Sequence, residues 1–245
     1  MLTRKELKQH AKEQLRGKAT TGVLLTLVMF AICCRAEGLV LTAGGIGSIL
    51  SQTVGIRAII VVWILWALFA WNLSIGYMWA FLEVQRGQVP KVGRMFRPFR
   101  MFGKVAGIYV LIILILLAVY FVTAVAAGSA DYFLHWTLGA AVGLAGIVLM
   151  IYLSLCFRMI PFLLYDQPEW GIRETIKQSA MLMREHMWEL FVVDISFFWW
   201  RLLAIVTCGI AVFWVEPYIN TTIANFYTVL IQEQRRSDQS IVEIL

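Results

Sequence analysis

Long apolar runs separated by short charged segments dominate the chain. A bilayer core is crossed by roughly 20 apolar residues in helical form. Runs of that kind lie at 19–34, 58–82, 105–127 and 137–157, the first of them short. Between the first two, residues 38–55 are apolar but bring Gly44, Gly45 and Gly47 together, which favours a loop or a partly inserted segment over a rigid span. A last apolar region, 190–231, is too long for one crossing and holds Thr207-Cys208-Gly209 near its middle. It is either one long helix with an interfacial tail or a hairpin of two helices turning near Gly209. Ahead of all these, Thr3 and Glu6 have capping-box spacing, and Leu7, Ala11 and Leu15 recur every fourth residue. Residues 1–18 therefore read as a short amphipathic helix on the membrane surface, or as a solvated leader. The predicted fold is an all-α polytopic membrane protein. It is a single membrane domain over 1–245, a helical bundle of about six transmembrane helices, or five, behind an N-terminal amphipathic helix.

Composition agrees with that reading. The chain is 60% hydrophobic and 15% charged, whereas soluble domains run near half apolar and about a quarter charged. The net charge of +6 matters through its placement. With six crossings, eighteen of the 21 Lys and Arg fall on one side, in residues 1–18, 83–104 and 158–189 and at Arg235 and Arg236. Only Arg35 and Arg57 fall opposite, and Arg201 stays within the apolar region. Basic residues collect on the cytoplasmic side, which puts the N-terminus there. Five crossings would move Arg235 and Arg236 outside, so six is favoured. The opening segment is too charged for a secretory signal, and Ile32 before Cys33 is not the small residue that a lipoprotein signal requires.

Two cytoplasmic segments carry candidate surfaces. The basic aromatic loop at 83–104 sets Arg94, Arg97 and Arg100 among Met95, Phe96, Phe99, Met101 and Phe102, with Lys104 following. Aromatics can sink among acyl chains while guanidinium groups meet anionic headgroups, each basic residue contributing about 1 kcal/mol. The same charges also serve as a plain topology signal. Stacking on nucleic acid is disfavoured because an apolar span follows at once. The cytoplasmic amphipathic segment 158–189 is mixed in charge, and its part 166–189 offers a surface to a protein partner.

Ionisable residues inside hydrocarbon are costly and count as functional candidates. Asp194 and Arg201 are seven residues apart, hence on nearly one face if a single helix carries both. Pro217 would kink or open a helix that also carries Glu216, Tyr218, Asn220, Thr221, Thr222, Asn225 and Tyr227. Such a helix lines the path of a transporter, or supplies hydrogen bonds between neighbouring helices. Gly139 and Gly143 allow close helix approach. The four cysteines sit in or beside apolar runs without zinc spacing, and the three histidines are scattered. No metal, cofactor or catalytic residue is predicted. Phosphate-loop, nucleophile-elbow and HExxH motifs are absent from the sequence.

The opening Arg4-Lys5-Glu6-Leu7-Lys8, Ala11-Lys12 and Leu15-Arg16-Gly17 resembles that of an uncharacterised family of bacterial membrane proteins, domain of unknown function 975. The C-terminal half is similar to that family's terminal signature. It runs through Ser179, Met183, Trp188, Phe191, Asp194, Ser196, Phe197 and Trp200, then Gly209, Pro217-Tyr218, Thr222, Ala224 and Phe226-Tyr227. Where members often carry Gly-x-Lys before the Trp, this chain has Glu185-His186-Met187. The resemblance implies a multi-pass protein of the bacterial plasma membrane and supplies no established activity. Two functions stay open: a non-enzymatic accessory, scaffold or lipid-interacting bundle with anionic lipids as partners, and a small-solute transporter or permease using the polar helices of 194–227. A third, an intramembrane enzyme acting on lipids, stands behind both. No echo of the 83–104 loop at 158–189 suggests repeated halves, which leans toward the first.

Overall fold

The computed structural model describes residues 4–16, 18–33, 52–89, 91–133 and 136–244, and among them every regular element is a helix. In chain order these are α1 (Arg4–Leu15), α2 (Ala19–Cys33), α3 (Gln52–Gln85), a 3-10 helix (Val92–Met101), α4 (Phe102–Phe133), α5 (Trp136–Cys156), α6 (Ile160–Asp166), α7 (Ile172–Met183), α8 (Met187–Ile195), α9 (Phe198–Val206) and α10 (Val212–Ile244). Three helices, α3, α4 and α5, are long and apolar enough to cross a membrane, and α1 with α2, bent by 89°, would make a fourth. The hairpin expected from 190–231 does turn at Gly209. Its first limb, α9, is only nine residues long, about 14 Å at the α-helical rise. Its second limb, α10, is long but too polar to count as a span by the same measure. Residues 34–51, which include most of the glycine-rich stretch, lie outside the described residues.

The chain divides into two compact units: Met1–Phe102 with Ser196–Leu245, and Gly103–Ile195. In the first unit α3 is the longest element, about 51 Å from its 34 residues. Its early residues Ile60, Val61, Ile64 and Leu65 are exposed, whereas almost everything from Asn72 to Val84 is buried. The covered half packs against the 3-10 helix, α10 and α1, around a core of Leu25, Leu73, Tyr77, Ala80, Phe81 and Met95. The Leu7 and Ala11 stripe of α1, expected to face a membrane, is buried where α1 packs on α10 and α3. The Leu7 carbonyl accepts a hydrogen bond from Asn225 Nδ2 at 3.5 Å.

In the second unit α4 and α5 are apolar on all sides. They expose Leu114, Leu117, Phe121, Leu144, Ile147 and Val148 among others. Where the two approach, the close contact falls on Gly146, whose Cβ position lies 2.9 Å from Thr123 Cβ; Gly143 faces open space. Gly139 is buried. The expected amphipathic segment 158–189 is built as α6 and α7 with the start of α8. Ile160, Phe162, Leu163 and Leu164 of α6 are buried, as are Thr175, Ser179 and Met183 of α7. Helix α5 ends at Cys156, and its last carbonyls lack helical donors. Ser179 Oγ supplies one, donating to the Cys156 carbonyl at 2.6 Å.

Candidate functional site

Residues 94–102 read Arg94-Met95-Phe96, Arg97-Pro98-Phe99, Arg100-Met101-Phe102, a triplet of Arg, then Met or Pro, then Phe, three times over. A 3-10 helix has three residues per turn, so positions three apart eclipse one another. A triplet repeat on that helix becomes three parallel rows. Met95 and Pro98 are buried in the packing against α3. Arg94, Arg97 and Arg100 are exposed, in a row spaced by about 6 Å at the 3-10 rise. In the third row Phe96 and Phe102 are exposed, and the Phe99 ring sits 5.2 Å from Phe69 on α3. The segment expected as a loop is therefore an ordered, three-faced helix. The period-three signal is present in the sequence and differs from both the α and β periods.

Gly76 sets how closely this helix lies on α3. A Cβ there would fall on the Met95 carbonyl oxygen, with Met95 C at 2.6 Å and Met95 Cα at 2.9 Å. Pro98, which has no N–H, cannot donate to that carbonyl in the three-residue pattern. The arginines differ in their surroundings. Arg94 Nη1 lies 3.0 Å from Glu83 Oε1, a carboxylate whose side chain is 3% exposed, and donates to Gln88 Oε1 at 3.1 Å. Arg94 thus neutralises a buried charge of α3, while Arg97 and Arg100 extend along the exposed row. Lys104 belongs to the second unit, where its Nζ donates to the Pro168 carbonyl at 2.8 Å.

The intramembrane candidates fall into separate places. Asp194 and Arg201 were expected on one helix face, but the helix is interrupted at Ser196 and Phe197. Phe197 is fully buried: its ring meets Tyr218 at 5.4 Å, and Lys8 Nζ sits 4.3 Å above it. Anchored this way, Phe197 starts a new helix, whose Arg201 N–H bonds back to its carbonyl. Asp194, on α8, faces Arg158 Nη2 at 4.0 Å within the second unit. Arg201 is exposed on α9 in the first.

The polar stretch of α10 is brought together: Asn220, Thr221, Thr222, Asn225 and Tyr227 are buried, and Glu216 and Tyr218 half-buried. Pro217 does not break the helix, because it stands in the second turn, where only the Phe213 carbonyl loses a donor. It packs beside Gly22 of α2, whose Cβ position is 3.3 Å from Pro217 Cβ. Asn220 Nδ2 donates to the Glu216 carbonyl at 2.9 Å and to Glu216 Oε2 at 3.1 Å. Thr221 and Thr222 donate to the carbonyls of Pro217 and Tyr218, each at 2.8 Å. Tyr227 is fully buried, and Tyr218 lies under Phe197 and Trp200. Two partners on other helices are not legible in the sequence. Thr26 Oγ1 and Tyr77 Oη are hydrogen-bonded at 2.8 Å, and the Glu216 carboxylate is near enough to act on Tyr77 electrostatically. Only a lone Thr and a lone Tyr in apolar runs could have signalled them.

Among the described residues no three His, Cys, Asp or Glu side chains are grouped to hold a metal. Searches of curated proteins and of solved structures found no match. One family model does match, over residues 1–234. Both ends that carried the resemblance lie inside that stretch, and the chain belongs to the family described as protein of unknown function, DUF975.

Proposed function

We propose that the chain is a polytopic protein of the bacterial plasma membrane, N-terminus inside, that acts without catalysis as an accessory or scaffold and holds anionic lipid at the cytoplasmic surface. The observation that carries this reading is the pair of rows on the 3-10 helix. Arginines about 6 Å apart on one row suit successive lipid phosphates. The exposed Phe96 and Phe102 beside them suit the acyl boundary just below. The apolar, exposed surfaces of α4 and α5 support membrane insertion. The exposed charges of α7, Arg173 and Lys177, with exposed Met181 one turn further along the same face, are the surface proposed for a protein partner.

The test is native mass spectrometry of the purified protein after exchange into micelles containing phosphatidylglycerol or phosphatidylcholine. The wild type should retain phosphatidylglycerol preferentially. Arg97→Gln with Arg100→Gln should weaken that retention roughly 5-fold per arginine, the equivalent of about 1 kcal/mol each. Equal retention of both lipids, or no effect of the double substitution, refutes the reading. A second reading, small-solute transport, is favoured by one observation, the cluster of buried Thr26, Tyr77 and Asn220 with half-buried Glu216. A solute retained by wild type and lost in Glu216→Gln would select it.

A further inference from the structure

Helix α9 poses a physical problem that the proposed function leaves unused. Among its nine residues only Ala204 is buried. Phe198, Trp199, Trp200, Leu202, Leu203, Ile205 and Val206 are all exposed, and so are Ile210 and Trp214 beyond the turn. At 100° per residue those on α9 fan over about 220° of the helix surface. The remaining sector holds buried Ala204 and exposed Arg201, whose long stem can carry its charge back toward the headgroups. A docked helix covers a narrower stripe than this; acyl chains cover an arc of any breadth. Lipid is therefore the occupant that this exposure fits.

The turn is sealed in a way that hydrocarbon demands. Backbone in a bilayer core must satisfy its own polar groups. From Thr207 to Val212 every N–H has a partner inside the hairpin. The Thr207, Cys208 and Gly209 amides donate to the carbonyls of Leu203, Ile205 and Ala204 at 2.9, 3.0 and 2.8 Å. Those of Ile210 and Val212 donate to Thr207 and Gly209, both at 3.1 Å. The Ala211 amide donates to Thr207 Oγ1 at 3.1 Å, and Thr207 Oγ1 donates to the Leu203 carbonyl at 2.8 Å. Cys208 at φ 50 and Gly209 at φ 88 close a Schellman cap. The turn contains no Pro, Asn, Asp, Ser or charged residue, the usual composition of a turn in water.

The hairpin is also too short to cross. Its base is marked by charge, since Lys8 of the basic helix α1 sits over Phe197 and donates to the Ser196 carbonyl at 3.4 Å. From Phe197 to Thr207 is ten residues, about 15 Å of helix, against a hydrocarbon layer of about 30 Å. We infer that α9 and the turn into α10 form a re-entrant hairpin that enters from the cytoplasmic side, ends within the hydrocarbon among lipid acyl chains, and returns. The inference rests on the membrane-embedded part of the proposed function and is independent of anionic-lipid binding. It replaces two crossings by none and leaves the C-terminus inside, so four full spans account for the charge distribution as well as six do.

Cys208 stands at the tip and is exposed, which makes it a native probe. Intact spheroplasts and inverted vesicles carrying the wild-type protein are treated with a charged, membrane-impermeant maleimide, and adducts are located by peptide mass spectrometry. Thr137→Cys and Met181→Cys, single substitutions at exposed positions, report the outer and inner faces. Cys208 should be unlabelled from either side and become labelled once detergent removes the lipid. Labelling of Cys208 in spheroplasts shows a tip at the outer surface and overturns the inference. Labelling only in inverted vesicles places the tip in the cytoplasm and overturns it equally. If the two reporter cysteines show no sidedness, the membrane reading itself falls, a result distinct from either.

Discussion

Substituting Gly76 by Ala tests how the 3-10 helix is held. The added methyl lands on the Met95 carbonyl oxygen and lies 2.6 Å from its carbon, and these are backbone atoms that no rotamer change can move. To restore a separation of about 3.5 Å, the 3-10 helix must shift by an ångström or more. Such a shift opens the packing of Met95 and Pro98 and pulls Arg94 from Glu83 Oε1, now 3.0 Å away. Overpacking of this kind costs about 1–3 kcal/mol, and partial exposure of Met95 adds to it. A loss of about 2–3 kcal/mol lowers the unfolding temperature by roughly 5–10 °C for a chain of this size. Gly93→Ala is the matched control, because a Cβ there meets nothing within 4 Å. Thermal unfolding of both variants in one detergent, with phosphatidylglycerol retention read alongside, makes the comparison. Gly76→Ala should lose stability and lipid together, and Gly93→Ala neither. A Gly76→Ala protein as stable as wild type would show that this contact does not position the helix.

Three further outcomes follow from contacts of single side chains. Arg94→Gln should destabilise by about 1–3 kcal/mol, less than a fully buried pair would lose, because Arg94 is 43% exposed while Glu83 is not. Adding Glu83→Gln should recover much of that loss in chemical denaturation, and a double variant no better than the single one would refute the pairing. Ser179→Ala strips the terminal carbonyl of α5 of its 2.6 Å donor. It should cost about 1–3 kcal/mol, measured as a lowered unfolding midpoint; no change would mean that water replaces the hydroxyl. Cys208→Gly relieves a left-handed backbone at φ 50 and should raise the midpoint by the equivalent of about 0.5–1 kcal/mol.

Apolar length makes α3, α4 and α5 readable, because a helix that is apolar on all sides needs no knowledge of its neighbours. The turn at Gly209 is readable for the same local reason. The interruption after Ile195 is not, since nothing in Ser196-Phe197 is a helix breaker; it follows from burying Phe197 under Lys8 and against Tyr218, contacts made by residues far apart in sequence. The role of Arg94 is hidden likewise. Arginine in a basic run reads as surface charge until Glu83 is found beneath it. Gly76 gives no signal at all, because its neighbour is a backbone carbonyl and not a side chain.

The polar face of α10 is where a transport path and a packing surface part company. A path requires polar atoms turned toward a solute; here most of them turn toward their own backbone. Thr221, Thr222 and Thr228 each donate to the carbonyl one turn earlier on α10, and Asn220 does the same while also meeting Glu216. Those carbonyls already accept helical N–H bonds, so losing the hydroxyls leaves no acceptor unsatisfied. Valine has nearly the shape of threonine. Thr221→Val with Thr222→Val should therefore change stability by no more than about 1 kcal/mol, with lipid retention unaltered. Asn225→Leu removes the donor to the Leu7 carbonyl on α1 and should cost more than the pair of threonine substitutions together. The opposite order, with the threonines critical and Asn225 dispensable, would mean that the hydroxyls face something other than their own helix. It would return the polar stretch of α10 to the transport reading.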